Sequence, residues 1–192
     1  MDEKSIIYGK SGTESKDKAI VIYDTLFGNT EMVAEALSRG IQKHGVEVKC
    51  ISIKDADINK LGQYNLIAVG APTQYLTASK PMKVFLSRLK GRSFAGKYGF
   101  AFDTRYDSFM AGSAAKYIEK TLKTAGIQII KPRTSAIVKR TKTPYEASKR
   151  DTLLKEGAIQ AFEAVGNEIG TVLVRKSVPI ELQDQTGDSS PN

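Results

Sequence analysis

The chain has 192 residues, of which 41% are hydrophobic and 26% are charged, as is typical of a globular domain. Its single cysteine, Cys50, excludes an intrachain disulfide framework. One cysteine and one histidine, His44, also argue against a structural zinc site or a Cys/His nucleophile. No apolar run approaches the ~18 residues of a membrane-spanning helix, and the first residues lack the apolar core of a secretory signal, so we expect a cytoplasmic protein.

Charge is the unusual feature of this sequence. The chain carries 29 Lys and Arg against 21 Asp and Glu, a net charge of +8. We interpret residues 1–18 as a flexible arm, 19–176 as one domain and 177–192 as a flexible tail. The domain holds 25 basic and 14 acidic side chains, a net +11. Such an excess of positive charge favours an anionic partner. The alternatives are an acidic protein, a nucleic acid and a charged membrane surface.

The first half of the domain alternates strand and helix patterns. Ala19–Tyr23 is a short apolar run, typical of a strand that is buried on both faces. Asn29–His44 has apolar residues at helical spacing and predicts a helix, which Gly45 ends. Val46–Ile53 alternates between apolar and charged residues, as an edge strand does, and Leu66–Gly70 predicts another buried strand.

The second half continues this alternation. We predict helices at Pro81–Leu89, Gly112–Ala125 and Glu146–Arg175, of which the last is long. We predict strands at Tyr98–Asp103 and Ile127–Val138. We expect the fifth strand to be interrupted at Pro132, which cannot donate a ladder bond and belongs at a sheet edge or a bulge. Five strands that alternate with helices predict an α/β fold, with a parallel sheet covered on both faces. Ligands of such sheets bind outside the carboxyl ends of the strands, so the loops there are the candidate site.

The loop after the first strand has the character of a phosphate site. It consists of Thr25, Leu26, Phe27, Gly28, Asn29 and Thr30, and it runs directly into a helix. Backbone N–H groups at a helix start bind phosphates, and the Thr25, Asn29 and Thr30 side chains add hydrogen bonds. The loop lacks the lysine of a P-loop and the GxGxxG pattern, and neutral donors suit a mononucleotide monophosphate better than ATP. The alternative is an ordinary turn in which Thr25 or Asn29 caps the helix.

Two further loops at the same edge carry aromatic side chains. The third strand is followed by Pro72, Thr73, Gln74, Tyr75 and Leu76, and the fourth is followed by Asp103, Thr104, Arg105 and Tyr106. Tyr75 and Tyr106 on facing loops are suited to clamp a planar ring system, with the permanent cation Arg105 beside it. Asp103 either bonds the ring of a ligand or caps the turn, and we favour the cap.

The motifs TLFGNT, GAPTQY and FDTRY, with GSAAKYIEKTLKTAG after the last, resemble the flavodoxin family over roughly residues 19–175. The resemblance implies a flavodoxin-like three-layer sandwich, a five-stranded parallel sheet in the order 2-1-3-4-5, and FMN as the ligand. It also implies that Thr25–Thr30 hold the phosphate and that residues near Thr73–Leu76 and Thr104–Tyr106 surround the isoalloxazine. Many flavodoxins place a tryptophan against the flavin. This chain has none, so Tyr75 or Leu76 must take that position.

We interpret the protein as an FMN-binding electron carrier between redox partners, with no catalytic residue of its own and no metal. Typical flavodoxins are acidic, whereas this domain is basic and therefore favours acidic partners. The positive charge of Arg105 should make the potential of the last reduction step of the flavin less negative. The alternatives are an FMN-dependent oxidoreductase, of the quinone reductase or porphyrinogen-oxidising type, and a fold that binds no flavin. Residues 131–150 contain seven basic groups and one acidic group, but without a nucleic-acid motif we interpret them as a solvated face.

Overall fold

A parallel sheet is the middle layer of the part of the chain that the computed structural model describes, residues 17–108, 110–141 and 152–177. Its five main strands are β1 (Lys18–Tyr23), β2 (Glu47–Ser52), β3 (Leu66–Gln74), β5 (Tyr98–Tyr106) and β7 (Thr134–Arg140). They lie in the order β2-β1-β3-β5-β7, and every pairing between them is parallel. This arrangement confirms the predicted fold and strand order, with β2 at one edge.

Helices cover both faces of this sheet. They are α1 (Asn29–Gln42), α2 (Lys80–Ser87), α3 (Ala114–Thr124) and α4 (Ala158–Ser177). α1 and α4 pack over an apolar cluster on one face, and α2 and α3 pack over a second cluster on the other. A 3-10 helix at Ile58–Gln63, which the sequence did not predict, joins the second cluster through Ile58 and Leu61. No helix of the described ranges is long and apolar enough to span a bilayer.

The fifth predicted strand is interrupted where its proline lies. β6 (Gln128–Ile129) pairs with the start of β5, and β7 pairs with the end of β5. Pro132 lies between them and donates no ladder bond, so the predicted interruption is confirmed. Another short strand, β4 (Thr77–Ala78), forms an antiparallel hairpin with β3.

The last predicted helix, Glu146–Arg175, is wrong in its first part. Thr152–Leu154 is a strand, β8, which pairs antiparallel with β7 and covers the edge of the parallel sheet. The error arose because Leu154 lies four residues before Ala158 and so extends the apolar stripe of the helix. Gly157 has a φ of 79°, a conformation that stops α4 from extending toward the strand. Residues 146–151 lie outside the described ranges.

The described secondary structure begins and ends near the predicted bounds of the domain, residues 19 and 176. β1 begins at Lys18 and α4 ends at Ser177. Most of the predicted arm and tail, residues 1–16 and 178–192, lies outside the described residues. The flexibility of both segments therefore stays a prediction.

Candidate functional site

The loop after β1 and the carboxyl ends of β3 and β5 surround one cavity at the edge of the sheet. The prediction that Pro72–Gln74 and Asp103–Tyr106 follow these strands as loops is wrong, because β3 extends to Gln74 and β5 to Tyr106. The cavity has a volume of about 160 Å³. Its walls are Thr25, Leu26, Phe27, Asn29, Thr30, Pro72, Thr73, Gln74, Thr104, Arg105, Tyr106, Val138 and Thr152. The structure thus brings together the predicted site residues, except that Gly28, Tyr75, Leu76 and Asp103 do not line the cavity.

The loop after β1 leaves the start of α1 without a side-chain cap. Gly28 is the N-cap residue, with a φ of 82° that favours glycine, and no side chain caps the first turn. The Thr25 hydroxyl oxygen accepts a hydrogen bond from the Gly28 N–H at 2.9 Å, which closes the loop. The alternative interpretation, with Thr25 or Asn29 as the helix cap, is therefore wrong. The first-turn N–H groups of α1 keep their capacity to bind an anion.

Asn29 is fixed by a strand that is distant in sequence. Its amide donates to the Thr152 carbonyl oxygen at 2.9 Å and to the Thr152 hydroxyl at 2.7 Å. Because a carbonyl oxygen can only accept, the NH₂ group must face Thr152. The Asn29 Oδ1 is then buried and has no hydrogen-bond partner among the described residues. Asn29 therefore offers a ligand an acceptor, rather than the donor that its place in the loop suggested.

Hydroxyl groups supply the side-chain donors of the cavity instead. The Thr30 and Thr104 hydroxyls share one hydrogen bond of 2.9 Å, so one of the two keeps a proton for a ligand. The Thr25 hydroxyl accepts from Gly28 and also keeps its proton. The cavity walls carry one cation, Arg105. The site therefore combines neutral donors with a single permanent charge.

The loop after β3 is a tight hairpin turn. Tyr75 and Leu76 are its two central residues, between the paired positions Gln74 and Thr77, and their φ angles are 46° and 68°. Positive φ at both central positions is the pattern of a type I′ turn, which favours Asn and Gly. The two side chains are 98% and 65% exposed, so they project from the rim of the cavity. Their predicted contact with a flavin stays a prediction.

Asp103 ties the hairpin to the start of α3. It is 0% exposed, and its Oδ2 accepts from the Thr73 hydroxyl, the Ser113 hydroxyl and the Ala115 N–H at 3.1, 2.7 and 3.0 Å. The Thr73 hydroxyl also accepts from the Ala114 N–H at 2.9 Å. Asp103 thus stabilises the first turn of α3, whose N-cap residue is Ser113. The prediction that it caps the turn after its own strand is wrong, because β5 continues to Tyr106.

Arg105 and Tyr106, at the end of β5, form another part of the cavity wall. The Arg105 Nη1 donates to the Gly112 carbonyl oxygen at 3.4 Å, a long bond. Its Nε is buried without a partner among the described residues, so the guanidinium keeps donor capacity next to the cavity. Tyr106 lines this cavity and also a larger neighbouring one of about 510 Å³. The Tyr106 side chain therefore lies between the two cavities and contributes to the wall of each.

Sequence reasoning missed two wall residues, Val138 and Thr152. Val138 lies in the predicted fifth strand, and the rule that neighbouring strands end at one edge would have included it. Thr152 had no such signal, because it belongs to the segment that was assigned to the last helix. Its role arises from the pairing of β8 with β7.

The other reactive side chains are structural. No group of His, Cys, Asp and Glu in the described residues is arranged to hold a metal ion. Burial raises the pKa of the Cys50 thiol, which keeps it protonated and unreactive. The His44 ring bonds the Asn167 Oδ1 at 2.9 Å and so joins the end of α1 to α4.

Comparison with known proteins agrees with this geometry. The sequence model of the family described as "Flavodoxin" matches residues 21–150. The chain is 32% identical over 121 residues to nitric oxide reductase of Moorella thermoacetica, covering 61% of this chain and 30% of that protein. It is 32% identical over 97 residues to flavodoxin of Clostridium saccharobutylicum, covering 50% of this chain and 60% of that protein. The chain thus spans less than two thirds of the length of both relatives.

A solved structure supports the same assignment. The structure of a flavodoxin from the domain Archaea superposes with a TM-score of 0.65 at 27% identity, covering 82% of this chain and 99% of that chain. The family match, the strand order and the cavity at the carboxyl edge of the sheet lead to one conclusion: this chain belongs to the flavodoxin family.

Proposed function

We propose that this protein binds FMN without a covalent bond and carries electrons between redox proteins. The observation that supports FMN is the uncapped start of α1 beside hydroxyl donors, at the same edge as two exposed tyrosines. Members of the flavodoxin family typically bind FMN. A bound flavin supplies one- and two-electron chemistry, while the protein binds it, orients it and sets its potential.

The polar walls suit the phosphate and sugar end of this ligand. First-turn N–H groups of α1 and the Thr25 hydroxyl donate to a phosphate, and a single cation suits a monoester. The buried acceptor Asn29 Oδ1 needs a donor, which the dianionic phosphate ester of FMN does not offer. A ribityl hydroxyl is such a donor. The site therefore fits a phosphate ester whose carbon chain carries hydroxyl groups.

The rim of the cavity suits the flavin ring. The cavity, at about 160 Å³, is smaller than a whole flavin nucleotide, so the ring would extend past its opening. Leu26, Tyr75, Leu76 and Tyr106 are all exposed there. Large apolar side chains that cluster at the surface mark a ligand or partner site, and stacking on an aromatic ring is the interaction that such a rim offers.

The open rim supports a carrier that reacts with protein partners. The net charge of +11 over residues 19–176 favours partners with acidic surfaces, because complementary charge speeds brief encounters. One observation supports the alternative, an FMN-dependent oxidoreductase. The second cavity, of about 510 Å³, lies next to Tyr106 and is lined by Met110 and Arg140, so it would admit a planar substrate.

Calorimetry of the apo protein with FMN and riboflavin tests the proposal. We expect FMN to bind one to one and riboflavin to bind more weakly, because riboflavin lacks the phosphate. Thr25→Val should weaken FMN binding and leave riboflavin binding nearly unchanged. Thr124→Val, at an exposed position on α3, is the matched control for loss of a hydroxyl. Folded protein that gives no heat with saturating FMN would refute the proposal, and rapid NAD(P)H:quinone turnover would favour the enzyme.

A further inference from the structure

The two helical layers of the molecule differ in charge. α1 and α4 together carry three basic and four acidic side chains. On the opposite face, residues 80–97, which include α2, carry six basic side chains and no acidic one. α3 adds three lysines and one acid, Glu119. Of the two helical layers, the one formed by α2 and α3 therefore carries the excess of positive charge.

Each of the two layers has one glutamate that pairs with two cations. On the α1–α4 side, Arg39 and Lys43 both pair with Glu163, at 3.6 and 2.6 Å. On the other side, Glu119 pairs with Lys123 at 2.7 Å and with Arg133 at 3.4 Å. The hydrogen bond from Lys123 lowers the pKa of Glu119, so that carboxyl stays ionised and is already committed to two cations.

Eight cations on the α2–α3 side have no acidic partner within the described ranges. Six of them, which we call the basic face, are Lys80, Lys83, Arg88, Lys90, Lys116 and Lys120. Lys83 on α2 lies 5.8 Å from the ring centroid of Tyr117 on α3, so the two helices form one surface. A groove of about 360 Å³ between them has Lys90 and Lys120 in its walls. The basic face is therefore continuous across both helices.

The basic face reaches the rim of the candidate flavin site. Lys80 and Lys116 lie in the first turns of α2 and α3. The Ser113 N–H donates to the Leu76 carbonyl oxygen at 3.3 Å, and the Ser113 hydroxyl accepts from the Lys116 N–H at 3.1 Å. The start of α3 is thus bonded to the exposed hairpin turn that contains Tyr75. A partner on the basic face would also touch this rim.

We propose that the basic face docks an acidic redox protein and places it over the flavin rim. This inference rests on the proposed function. A patch of unpaired cations that borders an apolar rim has the composition of a protein interface, with charge for steering and apolar groups at the contact. A nucleic acid is less well matched, because the Lys83 ammonium lies over the Tyr117 ring, the aromatic that a base would stack on. A membrane is also less well matched, because a helix that binds a membrane surface buries a broad apolar face in it. On α2 and α3, two large apolar side chains are exposed, Val84 and Tyr117.

Charge reversal on two parts of the surface tests this docking. The face variant carries Lys80→Glu, Lys116→Glu and Lys120→Glu in the full chain. The control variant carries Lys49→Glu, Lys54→Glu and Lys155→Glu, which are exposed lysines elsewhere, and it has the same net charge. The probe is a reduced acidic [2Fe–2S] ferredoxin, which gives up one electron as FMN-loaded protein accepts it. Stopped-flow absorbance at low ionic strength measures the second-order rate constant.

We expect the face variant to react at least about tenfold more slowly than wild type, and the control variant within about threefold. Added salt should slow the wild type and reduce this difference. Equal rates for the two variants would overturn the proposal. So would a face variant that loses binding to phosphatidylserine vesicles or a DNA duplex while its ferredoxin rate is unchanged. If the face variant does not fold, Lys116→Gln with Lys120→Gln gives the same test with a smaller expected change.

Failure of the proposed function has a different signature. A wild type that takes up no FMN fails before any ferredoxin is added. Calorimetry of the full chain with oxidised ferredoxin at low salt then still tests the basic face. Heat that is present in the control variant and lost in the face variant supports docking, and equal heat in both overturns it.

Discussion

Thr152→Val should destabilise the protein through one buried hydrogen bond. The Thr152 hydroxyl accepts from the Asn29 amide at 2.7 Å, and Asn29 is buried in the wall of the cavity. Valine has nearly the same shape as threonine but no acceptor. The carbonyl oxygen of residue 152 still takes one amide proton, at 2.9 Å in the wild type. The substitution therefore leaves one proton of a buried amide without a partner.

The expected cost follows from that single unpaired donor. A buried polar group that loses its partner costs about 1–3 kcal/mol. For a chain of this size each kcal/mol lowers the melting temperature by about 2–4 °C. Urea unfolding of the apo protein, followed by circular dichroism, measures the free energy directly. A cycle with Asn29→Ala should show a coupling of about 1 kcal/mol, because without the amide the hydroxyl of Thr152 has no donor to accept from.

A matched threonine provides the control. Thr124→Val removes a hydroxyl that donates to the Lys120 carbonyl oxygen at 3.0 Å on the exposed side of α3. We expect a change within about 0.5 kcal/mol there, as at most surface positions. If Thr152→Val were as mild as this control, the hydroxyl would not hold Asn29. The account of how β8 positions the loop would then be wrong.

Three further substitutions test other parts of the structure. Leu76→Gly should raise the free energy of unfolding by about 1 kcal/mol in a urea titration, because a left-handed conformation costs leucine about that amount. Gly166→Ala should lower it by more than about 2 kcal/mol, since an added Cβ would lie 2.1 Å from the Leu37 carbonyl oxygen, whereas Gly62→Ala, with nothing within 4 Å, should be nearly neutral. In the FMN-loaded protein, Arg105→Glu should make the potential of the second reduction step more negative, by something on the order of 100 mV for each of the two unit charges that the substitution changes. An unchanged potential in a reductive titration would contradict that role.

The sheet was predictable because its signal is local. Each central strand is a short apolar run between a turn and a helix, and that pattern predicts buried parallel strands. Handedness and the order of such units then restrict the possible topologies to a few. The same rule placed the three predicted loops at one edge, although most residues of two of them are the ends of β3 and β5. The structure brings Thr25, Thr104 and Arg105 to one cavity for that reason.

The rest of the site depends on contacts between distant parts of the chain. Asn29 and Thr152 are 123 positions apart, and nothing near Asn29 shows that its amide is already bonded. β8 is three residues long, and its Leu154 fits the apolar stripe of the following helix. The hairpin between β3 and β4 could not be predicted for another reason. Tyr75 and Leu76 both have a positive φ, and turns of this kind favour Asn and Gly, so the residue types at these positions do not indicate a turn.

The basic face explains why fold and partner must be predicted from different residues. Positions such as Lys116 and Lys120 are exposed on α3, whereas Ile118 and Leu122 are buried in the core. Lysine and glutamate have nearly equal helix propensity, so the fold is almost indifferent to the sign of an exposed charge. The sign does decide which protein approaches quickly, because steering depends on the field at the surface. A flavodoxin can therefore exchange its class of partner without any change to its core or to its phosphate loop.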